Sequence, residues 1–170
     1  MLIPLKVDVP MDRRPWVNWT IIAATVVISV LALLDESLLE SFAGFGRSCM
    51  VHVDLLHLLG NMLFLWVFGN AVNYKFGAPG YLALYVVAVL AGDGAHALFG
   101  EGIAIGASGA INGVMGAYLV FFPRNQVTVL WLVWRRAGIG SVSGIWIILF
   151  WIAWDFLYLA LGADTGVAHW

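Results

Sequence analysis

The sequence predicts an all-α protein: a polytopic bundle of membrane-spanning helices. Hydrophobic residues make up 62% of the 170 positions and charged residues only 11%. Soluble domains carry about 25% charged residues. Mean hydropathy is +0.94. The apolar residues also gather into runs near the roughly 20 residues that span a hydrocarbon core. A chain of this length supports one compact domain over residues 1–170.

The first expected span is about Trp16 to Leu34, and the second about Leu55 to Val72, with His57, Asn61 and Asn70 inside it. The third is about Tyr81 to Leu98, and the fourth runs from Ala107 to Phe122, before Pro123. The fifth is about Val142 to Leu161, and a sixth starts near Thr165, where only residues 165–170 are present. Val127 to Trp134 is apolar but short, and basic residues bound it. It reads as an interfacial or re-entrant piece, or as the lower start of the fifth helix.

Basic residues orient the bundle. Lys6, Arg13, Arg14, Lys75, Arg124, Arg135 and Arg136 fall on one side of alternating segments, and Arg47 on the other. The N-terminus is therefore expected in the cytoplasm. Ser108, His57 and the sixth segment then lie toward the outer face. A net charge of −2 leaves no nucleic-acid footprint. Cys49 is the single cysteine, so neither an intrachain disulfide nor a zinc site is expected. No cleavable signal peptide is expected, because the first apolar run lacks a small-residue cleavage pattern after it.

The informative polar residues are few. His57 and Asn61 are four apart and share one helix face. Polar groups inside a membrane face the bundle interior and mark function by default. The plainer reading, interhelical packing glue, suits an isolated Asn better than this pair. Ser108 stands in Gly106-Ala107-Ser108-Gly109, with Gly113, Gly116 and Ala117 on the following turns. Such small residues admit a close neighbour. A helix start also leaves backbone N–H groups free to hold an oxyanion. A nucleophilic serine needs a base, usually histidine. Of the four histidines, His52 is expected in the loop leading into the second segment. His96 reads as a satisfied interfacial residue, and His169 is the histidine of the sixth segment. Trp16, Trp19, Trp131, Trp134 and Trp170 lie near segment ends and suit interfacial anchoring. Asp93 and Asp155 lie inside spans, where charge is costly.

Three runs carry a family resemblance: His52-Val53-Asp54-Leu55-Leu56-His57-Leu58-Leu59-Gly60-Asn61, then Met62 to Asn70, then Gly106-Ala107-Ser108-Gly109-Ala110-Ile111. Ile3-Pro4-Leu5 and Arg14-Pro15-Trp16-Val17 add to it. Together they resemble the rhomboid family of intramembrane serine proteases, in bacterial form. The resemblance implies a six-helix core, here with the sixth helix incomplete. It implies a Ser–His dyad, no cofactor, transmembrane protein substrates and the bacterial inner membrane. Ser108 matches the nucleophile; Asn61 and His57 match the oxyanion-hole side chains.

The family's base lies in an Ala-His-x-x-Gly pattern on the sixth helix. Gly166-Val167-Ala168-His169-Trp170 looks like the stretch just before it. The base is then expected two residues past the end and the chain is expected to be an inactive truncation. In the competing reading His169 is the base. Residues 35–54 match the family's first loop but lack its Trp-Arg pair. Asn73 stands where an acidic residue often ends the second helix, and Asn112 where some members have tyrosine. The alternative to a protease is a non-catalytic rhomboid-like membrane binding protein. A small transporter fits less well, because two matched halves with broken helices are not seen.

Overall fold

A computed structural model of the chain describes residues 2–42, 50–52, 54–99 and 107–160. The helices are α1 (Trp16–Leu34), α2 (Glu36–Phe42), α3 (Leu55–Phe64), α4 (Asn70–Phe99), α5 (Ser108–Phe121) and α6 (Gly144–Ala160). Strands β1 (Leu2–Val7), β2 (Gln126–Val133) and β3 (Arg136–Ser143) form one antiparallel sheet in the order β1-β2-β3.

Helix α1 follows Pro15 and ends where Asp35 turns extended (φ −142°). Its buried residues are Asn18, Thr25, Ser29 and Ala32, all small or polar. Its exposed ones include Val27 at 57%, Leu31 at 50% and Leu34 at 80%. A surface helix of a soluble protein does the reverse. Polar-in, apolar-out packing suits a solvent of lipid tails, where interhelical contacts come from small residues and hydrogen bonds. The bundle is that of an integral membrane protein.

Asp54 starts α3: its Oδ1 accepts the His57 backbone N–H at 2.7 Å. The helix then loosens into a π-helical turn, Leu65–Gly69, before α4. Within α4 the path breaks at Gly77 (φ 71°, ψ 176°), two residues before Pro79. That positive φ suits glycine alone among common residues. The chain doubles back there, for a Cβ built on Gly69 would lie 2.7 Å from the Tyr81 hydroxyl. Twelve residues of straight helix would hold them about 18 Å apart.

Asn18 ties these pieces together. Its Nδ2 donates to Leu65 O at 2.9 Å and to Asn70 Oδ1 at 2.8 Å. Its backbone N–H donates to Asn73 Oδ1 at 3.1 Å, and its Oδ1 accepts from Tyr81 Oη at 2.6 Å. Trp19 Nε1 adds a bond to Asn70 Oδ1 at 3.1 Å. Asn73, a departure from the family pattern, thus holds the start of α1 through its Oδ1.

The sheet corrects the reading of residues 127–134. Residues 126–133 form the central strand, not the lower start of a helix, and Trp134 lies in the turn that follows. Val, Thr, Leu and Trp in Gln126–Val133 suit a pleated, half-buried surface, and β2 buries Val127 and Val129. Trp134 and Arg135 form a two-residue turn, with Trp134 at φ 55°. Register pairs Leu2 with Trp131 and Gln126 with Ser143. Pro4 is tolerated because β1 is an edge strand. Val142 and Ser143 complete β3, so α6 starts at Gly144.

Helix α5 lies tightly against α4. A Cβ on Gly113 would stand 2.5 Å from the Ala88 Cβ, and one on Gly92 would stand 3.2 Å from the Gly109 Cα. Gly113→Leu is therefore expected to lower stability by about 1–3 kcal/mol through overpacking. Thermal melts in detergent measure this, and adding Ala88→Gly should recover part of the loss. No recovery would mean that the two helices are not in this register.

Candidate active site

Ser108 is the first residue of α5 and is buried. Ala107 precedes it and gives the helix no side-chain cap. Its carbonyl accepts from Ile111 N at 2.9 Å. The first N–H groups of a helix have no intrahelical acceptor. Ser108 stands at that end of α5.

Asn61 and His57 come from α3, Asn61 buried and His57 half-buried. The link between α3 and α5 is His52, in the loop that leads into α3 as expected. His52 is 1% exposed. Its Nε2 pairs with Asn61 Nδ2 at 2.9 Å and accepts the Ala107 backbone N–H at 3.4 Å. Its Nδ1 lies 2.9 Å from Ser29 Oγ on α1. Ser29 Oγ in turn donates to Met50 O at 3.0 Å.

These contacts assign the proton. An amide nitrogen can only donate, so His52 Nε2 is the acceptor. The ring proton then lies on Nδ1 and points to Ser29, whose own hydrogen goes to Met50. One neutral imidazole thereby joins α1, α3 and the start of α5. His57 packs its ring edge-on to His52, with centroids 5.3 Å apart at 62°. His52 takes one Asn61 N–H; an amide has two. The second has no acceptor among the described residues.

Asn61 and the residue next to Ser108 thus meet on one ring. His57 joins through its contact with that ring. Asn112 Oδ1 is buried with no hydrogen-bond partner among the described residues. His96 is buried on α4. His169, the start of the sixth segment and residues 43–49 of the first loop lie outside the described residues.

Residues 39–170 match a family model described as the Rhomboid domain. The chain belongs to the rhomboid family. The mitochondrial Rhomboid protein 1 of Saccharomyces cerevisiae is 30% identical over 102 residues, covering 56% of this chain and 30% of that protein. The rhomboid protease GluP of Bacillus subtilis is 39% identical over 77 residues, 45% of this chain and 15% of its own. The rhomboid protease GlpG of Salmonella paratyphi A is 23% identical over 166 residues, 89% of this chain and 59% of its own. The rhomboid chain described here therefore matches less than two thirds of the length of each.

Burial pushes the His52 pKa from its ordinary 6.5 down to about 3; the neighbouring His57 adds to the drop and Asp54 opposes it. A lowered folded pKa means that the unfolded chain binds the extra proton between these values. The contribution of neutral His52 to stability is therefore complete above about pH 6.5 and declines as pH falls below it. The decline approaches about 1.4 kcal/mol per pH unit. Melting temperatures between pH 4 and 8 should show this acid limb in the wild type and a flatter one in His52→Gln. An identical limb in both would contradict the assigned proton.

Proposed function

We propose that this rhomboid is an intramembrane serine endopeptidase acting on transmembrane protein substrates. Ser108 Oγ attacks the scissile carbonyl as a histidine of the sixth segment takes its proton. The developing oxyanion is held by the free Asn61 N–H, His57 and the Ser108 backbone N–H. Collapse expels the amine, which recovers the proton from the histidine. An acyl-enzyme remains on Ser108, and water entering from the outer face hydrolyses it. The N-terminus is cytoplasmic in this proposal, and the membrane is a bacterial inner membrane.

One observation supports this reading above the others: the shared His52 ring, which fixes Asn61 against the backbone beside Ser108. A donor locked in place needs no reorganisation as charge develops. A Ser–Asn pair serving only as packing glue would need no such alignment.

Cleavage of a model transmembrane substrate in proteoliposomes by the full-length protein tests the proposal. Ser108→Ala should abolish turnover. Asn61→Ala should lower kcat about 10²–10³-fold, the usual loss for one oxyanion donor. Unchanged cleavage by Ser108→Ala refutes the mechanism. Fluorophosphonate labelling of the 170-residue chain then separates the two candidate bases. Strong labelling of Ser108 makes His169 the base; weak labelling supports a histidine two residues beyond Trp170. Substrate binding without labelling in the full-length protein would favour the non-catalytic alternative.

A further inference from the structure

A second feature lies at the opposite end of the bundle. A cavity of about 550 Å³ opens between β1, the start of α1 and the π-helical turn. Its lining includes Lys6, Asp12, Arg13, Arg14, Trp19 and Trp66. Three cations therefore face one carboxylate. Asp12 is already engaged, 3.7 Å from Arg13 Nε and within hydrogen-bonding reach of Tyr74. Among the described residues neither Lys6 nor Arg14 forms an ion pair with a carboxylate. Arg14 instead lies over the Trp16 ring at 5.6 Å.

The floor and wall differ from the rim. Asn70 lines the cavity, with its Oδ1 committed to Asn18 and Trp19. Trp19 and Trp66 stack at 5.8 Å with 13° between their planes. Trp66 is 47% exposed, so this aromatic wall continues onto the outer surface of the helices. The first turn of α1 at the mouth carries no acidic residue and no side-chain cap. Its end of the helix dipole adds to the positive field.

We propose that this cavity binds one anionic phospholipid, its phosphate at the Lys6–Arg14 rim and an acyl chain along the Trp19–Trp66 wall. Two features of the cavity select a lipid over a free anion. The basic rim and the apolar wall are continuous, and the wall leads to the lipid-facing surface. Basic pockets between transmembrane helices hold lipid headgroups in this way. Tryptophans are enriched at the headgroup level of a bilayer, and Trp19 stands in the first turn of α1, at the end of that span. The site is separate from the Ser108 cluster and does not depend on its chemistry.

Native mass spectrometry of the 170-residue chain in detergent tests the proposal, with phosphatidylglycerol or phosphatidylcholine of matched acyl chains. One phosphatidylglycerol should be retained in preference. Lys6→Gln and Arg14→Gln should each weaken its retention about fivefold, the effect of one cation near an anionic headgroup. Arg124→Gln, at the same end but outside the cavity, should leave it unchanged. Millimolar inorganic phosphate should fail to displace the lipid. Equal retention of the two lipids would overturn the proposal. So would an Arg124→Gln loss as large as that of Arg14→Gln, which would mean diffuse surface charge. Complete displacement by phosphate would make this a free-anion site and overturn the lipid. Far-UV circular dichroism confirms that the variants, all at exposed positions, remain folded.

Discussion

A polar atom inside a bilayer has no water to fall back on, so each one must find its partner within the protein. This rhomboid meets much of the requirement with two hydrogen-bonded centres, although Thr25 Oγ1, Asn112 Oδ1 and Tyr118 Oη are buried with no hydrogen-bond partner among the described residues. Asn18 gathers α1, the π-helical turn and both arms of α4 at one end. His52 gathers α1, α3 and the start of α5 at the other. Apolar contacts between helices and lipid tails are nearly interchangeable, so they favour no particular helix arrangement strongly. The two polar centres select one arrangement, because any other leaves several donors and acceptors unpaired.

Close packing makes the centres possible. Asn18 reaches Tyr81 only because Gly69 has no side chain; a Cβ there would stand 2.6 Å from Asn18 Oδ1. The α4–α5 contact works the same way through Gly113 and Gly92. Small residues bring backbones together, and the short distances then let polar side chains span two helices. The reversal at Gly77 supplies the geometry, returning Tyr81 to the level of the π-helical turn. Glycine therefore acts here in two ways, by permitting a backbone angle and by vacating space.

The helical bundle was legible in the sequence because its signal is repeated. Composition, hydropathy and run length all report the same solvent. Ser108, Asn61 and His57 stand out as candidates because each breaks an apolar run. What was not legible depends on partners far along the chain. Val127 to Trp134 reads as an interfacial or re-entrant piece, or as the lower start of the fifth helix, until β1, more than a hundred residues away, pairs with residues 127–131. Asn18 lies 63 positions from Tyr81, and nothing near it in sequence announces the contact. His52 had a local signal, five residues before His57 and two before the helix-capping Asp54, but its meaning required Ser29 and Ala107.

The neutrality of His52 is what connects architecture to chemistry. As an acceptor at Nε2, it holds the Asn61 amide with nitrogen, not oxygen, toward the ring. The remaining N–H of that nitrogen then points away from the ring. A protonated His52 would carry hydrogens on both ring nitrogens and could accept from neither Asn61 nor Ala107. The amide would gain by turning its oxygen to the ring, and its donor would swing away. The burial that keeps His52 uncharged thus also sets which way the Asn61 amide points. Ser29 reinforces that choice from α1 by accepting the Nδ1 proton. Three helices therefore contribute to the direction in which one amide points, and that direction is set beside the start of α5 where Ser108 stands.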